Sequence, residues 1–131
     1  MADSVTFHLV SPEKKLASVD AKSVNIPGIE GDMTLLANHA DFLTTLRPGI
    51  IKVQTIEGLE EFLVTGGFLE VSASVITVLA EKAILKAEVK SEFFEPLISE
   101  AEEDSENAVE KEKARADLRL NDLRVTAEIF N

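Results

Sequence analysis

The sequence contains no cysteine, no tryptophan and no tyrosine. Without thiols it has no disulfide, no thiolate nucleophile and no cysteine zinc site. Basic charge is scarce too: 13 Lys and Arg stand against 24 Asp and Glu, a net of -11. A chain of that sign gains nothing from a phosphate backbone or an anionic lipid surface, which argues against nucleic acid as a partner. No apolar run approaches the ~20 residues of a membrane span, so no direct membrane insertion is expected. The start, Met1-Ala2-Asp3-Ser4, lacks the basic and apolar stretches of a signal peptide, and a soluble intracellular protein is the expectation.

Catalytic motifs are equally sparse. There is no G-x-S-x-G elbow, no phosphate loop ending in Lys-Ser/Thr and no G-x-G-x-x-G. The acidic run over 100–106 lacks the ligand spacing and the glycine of a calcium loop, and reads as a solvated helix face. An enzymatic reading would have to build a metal site from His8, His39 and Asp41, whose spacing does not favour one. Neither a metal nor a cofactor is expected, and no catalytic site.

What the chain does have is 45% hydrophobic residues, enough for a core, and a change of character near residue 88. All 6 glycines and all but one of the 4 prolines precede residue 68. Residues 91–107 hold 7 acids and no base, whereas residues 108–131 balance 5 acids against Lys111, Lys113, Arg115, Arg119 and Arg124. Residues 1–88 read as strands. Val5, Phe7 and Leu9 alternate with Thr6 and His8; Val19, Ala21, Val24 and Ile26 lead to a Pro27-Gly28 turn. Ile50, Ile51, Val53 and Ile56 are followed by Glu57-Gly58 and a return run, a hairpin signal. Gly66-Gly67 inside a strand-like stretch predicts a bulge or tight bend where a side chain would clash. About ten short strands with Gly/Pro punctuation favour a sandwich or barrel over a βαβ fold, and a β-sandwich is the expectation.

Residues 89–131 read as an antiparallel two-helix hairpin. Phe94, Leu97, Ile98 and Ala101 form one stripe, on a helix beginning near Glu95 with Pro96 in its first turn. A second stripe runs Val109, Ala116, Leu120, Leu123, Ala127 and Phe130. Asn107 with Glu110 resembles a capping box between the two helices. The class is therefore mainly β plus α. A hairpin of this size cannot bury both stripes against itself, so it needs a docking surface on its own sandwich or on another protein. That shape suits an interaction or switch role, and a β-sandwich adaptor recruiting another protein through its hairpin is one reading.

Six stretches narrow the choice: Val10-Ser11-Pro12-Glu13, Ile26-Pro27-Gly28-Ile29-Glu30-Gly31-Asp32, Asn38-His39-Ala40, Leu46-Arg47-Pro48-Gly49, Val64-Thr65-Gly66-Gly67-Phe68-Leu69-Glu70-Val71 and Val75-Ile76-Thr77-Val78-Leu79-Ala80. In order and spacing the chain resembles the epsilon subunit family of F-type ATP synthases, whose mitochondrial counterpart is called delta. The resemblance implies a non-catalytic rotor subunit at the foot of the central stalk, its sandwich bound to the gamma subunit and to the polar loops of the c-ring. It makes this chain a peripheral component of the complex; with an intact Met1 and no transit peptide favouring a bacterial source, the cytoplasmic face of a bacterial inner membrane is the expected place.

By the same resemblance, Glu30, Gly31 and Asp32 form the loop of c-ring contact, and His39 is an interface or structural residue near that end. Where many members carry glycine in the loop after Asp32, this chain has Met33-Thr34. Some bacterial members bind ATP through an Ile/Leu-Asp-x-x-Arg-Ala motif. Here Val89-Lys90-Ser91-Glu92-Phe93-Phe94 replaces its aspartate with lysine and its arginine with phenylalanine, so no tight ATP binding is expected. In the family the hairpin can extend along gamma and brake hydrolysis. The first helix here is purely acidic, so contacts to alpha, beta or gamma would fall to Arg115, Arg119 and Arg124, and weak inhibition is the expectation.

Overall fold

Val5, Phe7 and Leu9 are buried while Thr6, His8 and Val10 are half-buried, the period-two pattern of a strand with one face on a core. This strand, β1 (Val5–Val10), opens the computed structural model, which describes residues 4–37 and 40–130. It is followed by β2 (Lys15–Ala21), β3 (Ser23–Gly28), β4 (Gly31–Leu35), β5 (Phe42–Leu46), β6 (Gly49–Thr55), β7 (Gly58–Val64), β8 (Gly67–Ser72), β9 (Val75–Ala80) and β10 (Ala83–Leu85), ten strands among the described residues.

Hydrogen bonding runs in the order β10-β7-β6-β3-β5-β8-β9-β1-β2, with β4 paired to β3. Only the β1–β9 pair is parallel among the described ladders. The sheet folds over itself at β3: residues 23–25 pair with β6, whereas Gly28 pairs with Leu46 of β5. Pro27, which has no N–H to give, lies at that handover, and its carbonyl accepts from the Arg47 N–H at 2.9 Å. At the other end of the order, Lys22 N–H donates to Gln54 O of β6 at 2.7 Å, drawing the end of β2 towards β6.

The resulting β-sandwich encloses Phe7, Leu9, Ile26, Leu35, Ile51, Phe62, Leu69 and Ile76, each almost fully buried. Burial of each is worth roughly 1.5–3 kcal/mol before ordering costs. Phe7 and Phe62 meet across it with ring centroids 6.4 Å apart. The predicted β6–β7 hairpin ends one residue early. Thr55 pairs with Gly58 and its hydroxyl closes the turn, donating to Gly58 O and accepting from Glu57 N–H, so Ile56 is turned out, 87% exposed.

The chain divides between Ala87 and Glu88 into two compact units. The second holds α1 (Phe94–Asn107) and α2 (Glu110–Glu128), joined by Ala108-Val109 alone. A link that short returns the chain antiparallel. Phe94 at the start of α1 stacks near Phe130 after α2, at 5.5 Å between centroids. Pro96 is the third residue of α1, where its missing N–H has no intrahelical acceptor to lose.

Two sequence expectations fail in this unit. Asn107 does not cap α2, because α1 continues through it; the extended residue preceding α2 is Val109, at φ -69° and ψ 158°, with no side-chain cap. Outside the helix, Val109 also leaves the predicted stripe and is 56% exposed. Leu123 of that stripe is buried as expected, with Asp122 and Thr126 buried beside it. The Thr126 hydroxyl bonds back to the Asp122 carbonyl at 2.7 Å, four residues earlier.

Candidate functional site

Three residues singled out by sequence, Glu30, Gly31 and Asp32, come together at the tip of the β3–β4 hairpin. Pro27 pairs with Asp32 and Gly28 with Gly31, which leaves Ile29-Glu30 as a two-residue turn. Gly31 has φ +134°, a conformation that disfavours any side chain. Glu30 and Asp32 are exposed on either side of it, so the tip offers two carboxylates to solvent. Ile29 N–H donates to Thr45 O at 3.1 Å, tying the tip to β5. Met33 and Thr34, read above as loop, belong to β4. Met33 packs against the sandwich core and the Thr34 hydroxyl accepts from the Asn25 amide at 3.1 Å.

His39 lies outside the described residues. The other members of the hypothetical metal trio have separate tasks. His8 projects from β1 with Nδ1 3.0 Å from the Ser18 hydroxyl, and Asp41 Oδ1 accepts from the Ala73 N–H at 2.8 Å across the β8–β9 turn, where Ala73 has φ +56°. Among the described residues, no group of three His, Cys, Asp or Glu is placed to hold a metal.

Sequence reading missed a second surface. On the outer face of β5, β8, β9 and β1, the register lines up Thr45, Phe68, Leu79 and Val10 in one cross-strand row. The next row is Leu43, Glu70, Thr77 and His8, with Ser18 of β2 beyond. Phe68 is 55% exposed, Leu79 54% and Leu43 70%, and Val75 joins them from the row after. Large side chains concentrated on one exposed sheet face mark a protein-binding surface.

In the hairpin, the three arginines have unequal freedom. Arg124 Nη2 is 2.7 Å from Glu102 Oε2, an interhelical ion pair. Arg119 is half-buried, and Arg115 is exposed. A cavity of about 420 Å³ between the helices is lined by these two together with Asp104 and Glu112. A polar clasp ties the turn end: the Ser105 hydroxyl donates to Asp117, while Lys113 Nζ reaches Ser105 O at 2.6 Å and Asp117 at 3.4 Å. In place of the ATP motif's arginine, Phe93 packs edge-to-face on the buried Phe94 at 5.5 Å.

The Ser105 hydroxyl holds the Asp117 carboxyl below its ordinary value; partial desolvation opposes this, and Lys113 adds to the lowering. A carboxyl lowered by folding stabilises the fold above its unfolded value and loses that contribution as pH falls through the folded one. The unfolding midpoint of Asp117→Asn should therefore lie below that of the unsubstituted chain at pH 7. The gap should close as pH drops below 3.8, which thermal scans by far-UV circular dichroism would register.

Residues 4–86 match the family model described as the beta-sandwich domain of the ATP synthase delta/epsilon chain. The chain belongs to that family. It is 45% identical over 123 residues to the ATP synthase epsilon chain of Cereibacter sphaeroides, covering 94% of this chain and 93% of the relative. It is 54% identical over 101 residues to that of a Ruegeria species, covering 77% of this chain and 74% of the relative. Its fold is shared with a chain in the Euglena gracilis mitochondrial ATP synthase, at TM-score 0.75, 21% identity and coverage of 100% and 84%. A chain of the Tetrahymena thermophila central stalk and c-ring structure gives TM-score 0.69 at 21% identity, with coverage of 97% and 96%. No helix among the described residues is long and apolar enough to cross a membrane.

Proposed function

We propose that this epsilon-family chain is a non-catalytic rotor subunit of the proton-translocating ATP synthase, coupling c-ring rotation to ATP synthesis through gamma. The observation that carries this reading is similarity to a relative named as an ATP synthase epsilon chain over more than nine-tenths of both chains. The outer face of Leu43, Phe68, Val75 and Leu79 is the gamma-docking surface, since it gathers exposed apolar side chains in adjacent cross-strand rows of one sheet face. The hairpin tip of Glu30, Gly31 and Asp32 meets the polar loops of the c-ring, where two solvent-facing carboxylates suit polar or cationic groups. His39 is carried as an interface or structural residue on the family resemblance. The chain then works as a peripheral component at the cytoplasmic face of the bacterial inner membrane, held there by its partners.

Quantitative mass spectrometry of the catalytic head released from membranes tests this reading, since a chain without Trp or Tyr barely absorbs at 280 nm. One copy per gamma subunit is expected. Absence from the head would leave the fold standing and transfer the function to an adaptor.

The helical hairpin acts as a weak regulator. The charged residues of α1 are all acids, and Arg124 is engaged with Glu102, which leaves the exposed Arg115 as the first candidate for contacts with alpha, beta or gamma. Truncation after Lys90 should leave the hydrolysis rate of the assembled complex within about twofold of the intact one. A several-fold rise would show that the hairpin brakes strongly.

A further inference from the structure

Among the outward residues of β5, β8 and β9, Glu70 alone carries a charge. It stands between Leu43 and Thr77 in its cross-strand row, and Phe68 and Leu79 occupy the row beside it. The residue is exposed, and among the described residues no hydrogen bond or ion pair reaches its carboxylate. The basic residue of its row, His8, is two strands away, on the order of 10 Å at ordinary strand spacing, and is bound to the Ser18 hydroxyl. Asp41, which precedes β5, already accepts from the Ala73 N–H. The sandwich therefore makes no internal use of the Glu70 charge, although it lies in the middle of the exposed apolar rows.

We propose that Glu70 sets the chemistry of the partner on this face: an arginine of gamma meets its carboxylate inside the docked surface and pairs with both oxygens. The inference rests on the assignment of the face to gamma made above. A partner that covers Leu43, Phe68 and Leu79 also strips water from the carboxylate among them, and a desolvated carboxylate without a counter-charge strongly opposes binding. A stable complex therefore brings a cation to this point. A guanidinium suits it better than an ammonium. Its planar fork matches the two carboxylate oxygens, and it is more weakly hydrated. Its flat side can also lie on the exposed Phe68 ring, two residues along the strand at about 7 Å. The surrounding leucines and Phe68 would accept any apolar surface, so the one charge among them decides which surface is accepted.

The test is the binding kinetics of the full chain on a gamma-containing catalytic core stripped of it. Glu70→Gln and Glu70→Leu should each weaken Kd by about tenfold or more, through faster dissociation, because a desolvated guanidinium is left unpaired. Leucine makes the sign decisive: against a neutral apolar partner, replacing the carboxylate with leucine would tighten binding. Glu70→Lys should abolish measurable binding. Asp20→Asn removes an acid three strands away on β2 and should stay within about twofold of the unsubstituted chain. Thermal midpoints of the Glu70 variants should match that of the unsubstituted chain, which separates lost pairing from lost folding. If Glu70→Leu misfolds, Glu70→Gln carries the test. Unchanged or tighter binding in either variant, or an equal loss in Asp20→Asn, overturns the proposal while gamma docking stands. No binding of the unsubstituted chain, or binding untouched by Phe68→Glu, removes the docking assignment itself and this inference with it.

Discussion

Phe7→Ala is expected to destabilise the sandwich by about 3–5 kcal/mol, in the range for a large aromatic truncated in a close-packed core. Phe7 is fully buried and its ring reaches Phe62 on the opposite layer. Its strand is also held on both sides, antiparallel to β2 and parallel to β9, so the backbone cannot slide inward to fill the space. A domain typically has about 5–15 kcal/mol in total, so much of the stability of this unit rests on one ring. Urea denaturation followed by NMR methyl signals of the sandwich separates this unit from the helices. A loss below about 1.5 kcal/mol would mean that the layers collapse onto the vacancy.

Gly67→Ala should cost about 3 kcal/mol or more, for two separable reasons. Gly67 has φ +144°, and a Cβ there would strike the Leu79 carbonyl oxygen and crowd the Ala80 Cα at 2.9 Å. Both belong to the backbone of β9, which pairs with β8 along its length and cannot yield without breaking the ladder. Gly31→Ala isolates the conformational part. Gly31 has nearly the same φ, +134°, but a Cβ there meets nothing within 4 Å. That variant should lose only about 1 kcal/mol. Equal losses at the two glycines would show that backbone conformation alone matters at Gly67. Because this bend starts the strand that presents Phe68, misplacing it should also weaken docking on the outer face.

Local signals were readable wherever one residue decides the outcome. The alternation over β1, the glycine pair at 66 and 67 and the helix start near Pro96 each follow from a backbone preference or a period, whereas Pro27 and Gly28, read above as a turn, are the last residues of β3 and the turn falls on Ile29-Glu30. The readings that fail do so where neighbours decide. Asn107 is a good capping residue in isolation, yet α1 runs through it and the turn closes on Ala108-Val109. The tip residues 30–32 were identified by resemblance; their joint placement follows from the pairing of Gly28 with Gly31.

The exposed apolar face was illegible for a definite reason. Phe68-Leu69, Val78-Leu79 and Phe42-Leu43 put apolar residues on both faces of their strands, so period two does not say which member points inward. Leu69 and Val78 are buried, and Phe68 and Leu79 are exposed. Arg124 looks as available as Arg115 in the chain, and only the antiparallel return of α2 brings it onto Glu102.

By itself the sequence determined the family, the strand-rich and helix-rich parts, the absence of thiol chemistry and the acidic bias, because composition, short-range backbone preference and ordered motifs are local properties. Tertiary structure decided which face of β5, β8 and β9 meets solvent, where β3 passes from one layer to the other and which charges are spent inside the hairpin. Those depend on cross-strand register and helix return, which join residues far apart in the chain and leave no local mark.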